Sequence, residues 1–328
     1  MPTQTDKLTT LRDSTEPGQI PYVSKSRVKK FITCPEKFFF SYIKGLKGPE
    51  TGPMRRGTNI HETFEDYYEN VTEYVNETGE LPEDLVAFLP SSERWADYLE
   101  PYISNFLVFE QRRLDYCKDE YGEKASHFWL PLAIEAEEWL DDPLDYGDDA
   151  IPWMGYADAI YSAAAFPEVD GGAGEVVIVD FKSGKVPNKK YRNDGIYLEG
   201  EYYAMLFESE WSVAAVSGYY PLKDELIVSP LKKARRDKIR DVVHGFQDMN
   251  VETPDHLEIE EQPLCRWGEG DDEACPYYNM CASTFGEPLK HADRTRALHE
   301  KGYSKGEIAD DLGCDYGAVS YAFYKLGL

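Results

Sequence analysis

The sequence predicts an α/β protein: a mixed β-sheet sandwiched between helices, followed by a small all-α segment at the C-terminal end. Three observations predict it. Apolar runs suited to strands, "IPWMGYADAIYSAAAF", "EVVIVDFKSG", "SVAAVSGYYPL" and "DELIVSPL", fall in the middle of the chain. Stretches of helical period flank and separate them, which is the order of a layered α/β core. The chain has 328 residues, 42% of them hydrophobic and 14% aromatic, so a large core is within reach.

The elements follow in order. Residues 1–20, rich in Thr, Pro and Gly, read as a disordered N-terminus. "SKSRVKKFITCPEKFFFSYIKGL" reads as two short helices broken at Pro35. "GTNIHETFEDYYENVTEYV" is helical in period, and so is the stretch from about 92 to 120. Residues 128–139 read as a strand and "DDPLDYGDDA" as an acidic turn. The next two strands are joined by "PEVDGGAG", a hairpin loop by composition. "DGIYLEGEYYAMLFE" is a helix, two further strands follow, and "KKARRDKIRDVVHGFQDM" is a helix again. A cysteine-bearing loop region covers 263–286, and the last forty residues are helical. Three segments result: 1–20, a main domain over 21–286, and a helical unit over 287–328.

The net charge is −26 and the pI is near 4.6. Acidity on this scale is a weak argument against nucleic acid as a partner, since phosphate binding relies on Lys and Arg. Yet the acids are spread over the whole length, as in proteins that stay soluble in molar salt, so a halophilic origin is the favoured cause. Local basic clusters then matter more than net charge. The first thirty residues carry no apolar signal segment and no apolar run of membrane-spanning length exists, so a cytoplasmic protein without a membrane partner is expected. Six cysteines are too few for a disulfide scaffold in a chain this long, and clustered ones in a cytosolic protein point to metal.

The strand "VVIVDFKSGK" ends in Asp180 and Lys182, which share a face because side chains alternate along a strand. A hairpin sets Asp158 of "GYADAI" on the neighbouring strand. Two carboxylates and a lysine make a hard, oxygen-rich site suited to Mg²⁺ or Mn²⁺. On the helix of "GTNIHETFE", His61 and Glu65 share a face, and His61 is a candidate third ligand. Glu199 and Tyr203 have the same spacing in "EGEYYAM".

Taken together, Gly57-x-x-x-His61-x-x-x-Glu65, Gly155-x-x-Asp158, Asp180-x-Lys182 and the Glu199–Tyr203 helix occur in the order found in the PD-(D/E)XK nuclease superfamily. Within it the chain resembles the RecB-like exonucleases, which also open with S-x-S-R, an aromatic residue and a C-P pair, as "SKSRVKKFITCPEKFFFSYIKGL" does. The resemblance covers about 22–285 and implies a restriction-endonuclease-like core. It implies that His61, Asp158 and Asp180 hold one or two divalent ions, with the Phe181 carbonyl as a further ligand. Lys182 would orient or deprotonate the attacking water and stabilise charge on the phosphate, with Glu65, Glu199 and Tyr203 supporting. Glu199 departs from the family, which usually has glutamine there.

Cys34, Cys265, Cys275 and Cys281 have the one-early, three-late layout of the iron–sulfur members of this group, the CRISPR-associated exonucleases among them. Four thiolates can bind zinc or an iron–sulfur cluster, and spacing alone does not choose. The resemblance implies a 4Fe–4S cluster that ties the N-terminal helices to the end of the nuclease domain, with zinc the alternative. Nine residues separate Cys265 from Cys275, where the family has two. Cys117 and Cys314 read as buried thiols.

Basic residues gather in "KSRVKK", at Arg55 and Arg56, in "KSGKVPNKKYR" and in "LKKARRDKIR". Arg56, Lys185, Lys189, Lys190 and Arg192 are the candidate DNA contacts. In the last segment, Ser304 and Glu307 form a capping-box pattern, and Ala309, Gly313 and Val319 have helix-turn-helix spacing, similar to the resolvase type. Tyr321 and Lys325 lie on the helix expected to read DNA. The resulting expectation is a metal-dependent DNA exonuclease acting on ends or single strands, in repair, recombination or CRISPR and viral DNA processing. The alternatives are a non-catalytic DNA-binding protein or a subunit of a helicase–nuclease complex. No G-x-x-x-x-G-K-[ST] occurs, so unwinding would come from a partner helicase, with CRISPR or recombination proteins as other candidate partners.

Overall fold

Every residue of Val176–Phe181 is buried, as a continuous apolar run requires of a strand covered on both faces. In the computed structural model it is the middle strand of a five-stranded sheet. The described residues are 8–11, 16, 18–46, 52–90, 97–259, 265, 275–277, 281, 288, 291–314 and 316–328. The elements are α1 (Lys25–Thr33), α2 (Pro35–Phe38), α3 (Gly52–Thr78), α4 (Glu100–Tyr121), α5 (Ala125–Trp129), β1 (Ala133–Leu140), β2 (Trp153–Ser162), β3 (Val176–Phe181), α6 (Ile196–Phe207), β4 (Val213–Tyr220), β5 (Glu225–Pro230), α7 (Lys233–Val251), α8 (Ala292–Glu300), α9 (Lys305–Leu312) and α10 (Tyr316–Leu326). The strand expected over 128–139 begins later, because α5 occupies its first residues. No helix among the described residues is long and apolar enough to cross a membrane.

The chain divides into two compact units, one of Met1–Thr15, Pro21–Lys29 and Glu50–Asp248, the other of Glu16–Ile20, Lys30–Pro49 and Met249–Leu328. In the first, the strands lie in the order β1-β2-β3-β4-β5. β3 and β4 are parallel and the other neighbours antiparallel, so the sheet is mixed as expected. The parallel pair is joined through α6. One sheet face packs Tyr161, Val179 and Tyr219 against Phe64 and Tyr68 of α3 and Phe106 and Phe109 of α4 in one core. α6 covers the other face. There glycine on each side allows the close approach: a Cβ on Gly155 of β2 would lie 2.9 Å from Leu206 of α6, and one on Gly200 of α6 would run into Val216 of β4.

In the second unit, Ile20 falls within the segment expected to be loose. It is buried, and its backbone exchanges hydrogen bonds of 2.6 and 2.9 Å with the Asn250 side chain. α8–α10 enclose a small core of Ile308, Ala309, Val319 and Phe323. The Ser304–Glu307 capping box forms at the start of α9, and Gly313 ends that helix at φ +65°, where a side chain would be strained.

The tight α6–β4 crossing yields a test. Gly200→Ala drives a methyl into Val216, and should destabilise the protein by about 1–3 kcal/mol, more than alanine's helix propensity returns. Urea or thermal melts measure it, and an unchanged midpoint would contradict the packing.

Candidate active site

β3 ends before β2 does. Ala159 opposite Val179 is the final pair of their ladder toward this end, and the next residues along are Asp158 and Asp180. Beyond that point the edge of β2 is filled by the N-terminal segment. Val23 N–H donates to the Pro152 carbonyl at 2.8 Å, and Met154 N–H donates to the Val23 carbonyl at 3.0 Å. That bridge leads directly into α1. The site is therefore assembled where β3 stops, with α1, α3, β1, β2 and α6 all contributing side chains.

One half of the site is acidic. A ligand-type atom from each of His61, Glu135 and Asp158 lies within 4.8 Å of the other two. Asp158 Oδ2 accepts the Phe181 N–H at 2.5 Å, and Asp158 Oδ1 lies 3.5 Å from His61 Nδ1. His61 Nε2 is 2.9 Å from the Phe181 carbonyl, and Glu135 Oε1 is 4.0 Å from His61 Nδ1. Glu135 lies between ladder pairs of β1 with φ +44°, a left-handed conformation that costs about 1–3 kcal/mol for a non-glycine residue. Burial opposes a charge on His61, but the Asp158 hydrogen bond and the charges of Asp158, Asp180 and Glu135 win and push its pKa up to about 9. Burial, then the charge of Asp158, pushes Glu135 up to about 7. Since the His61 value is raised, these contacts contribute their full stability below about pH 6.5, and it fades as pH rises through about 9.

The other half is rich in lysine. Lys182 Nζ lies 2.6 Å from Asp180 Oδ2 and 2.7 Å from Glu199 Oε2. Lys25 Nζ approaches the same two oxygens at 3.3 and 3.9 Å, and Lys29 Nζ lies 2.6 Å from Glu199 Oε1. Asp180 and Glu199 are almost fully buried. Burial alone would favour their neutral forms, but Lys182 and Lys25 hold Asp180 well below the carboxylate range. Lys182, Lys29 and Lys25 bring Glu199 down to about 2. Burial disfavours the Lys182 ammonium, yet Asp180 and Glu199 raise its pKa above the ordinary lysine value. Tyr203 is buried, with Lys25 Nζ 4.8 Å from its ring centroid.

The expected His61, Asp158, Asp180, Phe181 and Lys182 thus converge. Asp180 stands outside the close triad because its carboxylate faces the lysines. Glu65 lies on α3 but is not in the triad either; partial burial and then Glu69, Asp66 and Glu62 raise its pKa. Three site residues escaped the sequence reading. Lys25 and Lys29 left a signal, being four apart in a basic segment. Glu135 left none, since "AIEAEEWL" holds three glutamates and only the backbone turn singles one out.

A profile of the PD-(D/E)XK nuclease superfamily matches residues 22–282. This chain belongs to that superfamily. No curated protein sequence matches the nuclease. Among solved structures it is similar to a "putative exonuclease" from Eubacterium rectale, at 11% identity and a TM-score of 0.46, over 86% of this chain and 99% of that one. It is similar also to SSO0001, at 11% identity and a TM-score of 0.31, over 79% of this chain and 93% of that one.

Of the nuclease's expected DNA contacts, Lys185, Lys189 and Lys190 are exposed. Arg56 is half-buried, and Arg192 is committed to the Pro187 carbonyl and to Glu225. Tyr321 corrects the reading: it is 3% exposed within the helical unit, so it packs in the interior, and Tyr316 and Tyr324 are the exposed tyrosines of α10. The Lys325 side chain lies outside the described residues. The basic start of α7 is largely neutralised, Arg235 and Arg236 by Glu201, Arg236 also by Glu208, and Lys238 by Asp194. In the second unit, Cys34, Cys265, Cys275 and Cys281 line one pocket together with Phe40 and Tyr277. Cys117 is fully buried in the core, and burial pushes its thiol up to about 11. Cys314 packs against the small helical core.

The His61–Asp158 contact can be tested directly. An NMR titration of the metal-free protein should show one imidazole titrating near 9, and Asp158→Asn should move it toward the ordinary value of about 6.5. A value that stays put in the variant would refute the assignment.

Proposed function

We propose that this nuclease is a metal-dependent DNA exonuclease of the RecB-like type, hydrolysing phosphodiester bonds at DNA ends or in single strands. The observation that carries the reading is the gathering of His61, Glu135 and Asp158 beside the Asp180–Lys182 pair. The exonuclease mode rests on the resemblance of the N-terminal "SKSRVKKFITCPEKFFFSYIKGL" to RecB-like members.

An imidazole, two carboxylates and the adjacent Phe181 carbonyl are a donor set that fits Mn²⁺ or Mg²⁺. His61, Glu135, Asp158 and the Phe181 carbonyl would hold the ion, with Asp180 next to them. Such an ion supplies charge relief at the phosphate and an acidified water. His61 must shed its proton to become a ligand, so binding of the ion releases protons. Lys182 keeps its proton at neutral pH because Asp180 and Glu199 flank it. Its role is to fix positive charge beside the phosphate, and the water loses its proton elsewhere.

We read Cys34, Cys265, Cys275 and Cys281 as ligands of a structural 4Fe–4S cluster, with zinc as the alternative. Their shared pocket supports this. We read residues 287–328 as a helix-turn-helix that docks on DNA; the capped α9, the Gly313 turn and the buried Val319 support it. We propose a helicase or a CRISPR or recombination protein as the partner; the sequence carries no G-x-x-x-x-G-K-[ST].

End-labelled single- and double-stranded DNA, with Mn²⁺ or Mg²⁺ in molar KCl, tests the activity. Asp180→Asn and Lys182→Ala should each slow cleavage by about a hundredfold or more, and Asp180→Asn, which removes no cation, should not weaken DNA binding in EDTA. Undiminished cleavage in either variant would sink the catalytic assignment. Anaerobically purified protein should contain iron, Cys34→Ser should lose it, and Cys117→Ser should keep it. Stoichiometric zinc without iron would overturn the cluster.

A further inference from the structure

Lys182 has an uncommon neighbour. Its two acceptors, Asp180 Oδ2 and Glu199 Oε2, are the same two oxygens that Lys25 approaches. Lys182 reaches them at 2.6 and 2.7 Å, whereas Lys25 stands at 3.3 and 3.9 Å. Lys29 takes the remaining Glu199 oxygen at 2.6 Å. Three ammonium groups therefore face two carboxylates in this half of the site, leaving one positive charge in excess (three minus two). Asp158 also feels Lys25, but its oxygens are committed to His61 and the Phe181 N–H. Lys25 is the surplus cation, because both of its acceptors are already held more closely by Lys182.

Its position is built rather than accidental. The Val23 bridge to β2 fixes the backbone two residues earlier, and the Tyr202 hydroxyl donates to the same Val23 carbonyl at 3.0 Å. The Tyr203 ring flanks the ammonium at 4.8 Å. The Lys25 side chain keeps 21% of its surface exposed, so an incoming anion can reach it. An ammonium has three donors, and among the described residues Lys25 directs one hydrogen bond, to Asp180.

We propose that Lys25 is a phosphate-contacting residue, a second ammonium that binds a non-bridging oxygen of the DNA backbone beside Lys182. This deepens the exonuclease reading and rests on it. The acidic half of the site then serves the metal, and the lysine half serves the phosphate. Delivery of this cation on α1 makes the N-terminal segment part of substrate binding.

The test is anisotropy of labelled single-stranded DNA in EDTA, over a series of KCl concentrations at which the protein stays folded. Lys25→Gln should weaken binding and lower the slope of log K against log salt by about 0.7, the share of one single-strand phosphate contact. Lys25→Arg should keep the slope. An unchanged slope in Lys25→Gln, with wild-type DNA binding and cleavage intact, overturns the role of Lys25 and leaves the nuclease reading standing. A wild type that neither binds nor cleaves DNA overturns both. The Lys25 side-chain ammonium signal in NMR of the ¹⁵N-lysine-labelled wild-type protein in EDTA gives a readout that needs no folded Lys25→Gln variant: single-stranded DNA should shift it. An unshifted signal at saturating DNA overturns the proposal even where Lys25→Gln fails to fold.

Discussion

Two buried carboxylates, Asp180 and Glu199, set the terms for the rest of the site. An ionised carboxylate without a partner costs several kcal/mol to bury. Here each is held by lysines, and Lys182 bridges both. The same contacts fix Lys182 as a permanent cation pointing at the place where β3 ends. Charge compensation and catalytic positioning are one arrangement. The pattern recurs where no chemistry is expected. Glu201 is fully buried against Arg235 and Arg236, and Glu110 against Arg113 and the Tyr68 hydroxyl. A chain with far more acids than bases spends many of its bases on buried acids, which is why so few basic surfaces remain for a nucleic acid.

Helix α6 shows how closely these demands are packed. Glu199, Gly200 and Glu201 are consecutive, and helical geometry sends them in different directions. Glu199 faces the lysines of the site. Gly200 lets the helix lie on Val216 of β4. Glu201 receives the arginines of α7 and the Lys232 N–H. A shift of the helix along its axis would disturb catalytic charge, sheet packing and the α7 anchor together. The sheet and the site are therefore rigidly coupled, as a preorganised electrostatic site requires.

The acidic half depends on a different device. Glu135 reaches His61 and Asp158 from a strand only because its backbone turns to positive φ, and the β1–β2 register resumes unchanged on either side. Strain of this kind persists where surrounding pairing over-determines it, and it collects at functional sites. Without a metal, the cost of crowding Glu135 and Asp158 is eased by a protonated His61.

By itself, the sequence determined the elements and the near-sequence part of the site. Apolar runs marked four of the five strands, most plainly β3, which is buried along its whole length and so leaves a continuous apolar signature. The period-two rule put Asp180 and Lys182 on one face, and the hairpin reading of the β2–β3 connection made the approach of Asp158 readable. The Ser304–Glu307 cap and the Gly313 turn were legible because they are local hydrogen-bonding and backbone requirements. Tertiary structure decided the rest. Glu135 was one of three equivalent glutamates until a backbone turn aimed it. Lys25 and Lys29 were a basic stretch until the Val23 bridge carried α1 to the end of β3. Tyr321 looked like a reading-helix residue until packing buried it. These outcomes depend on contacts between segments far apart in the chain, and neither local propensity nor periodicity encodes which distant partner a side chain will meet.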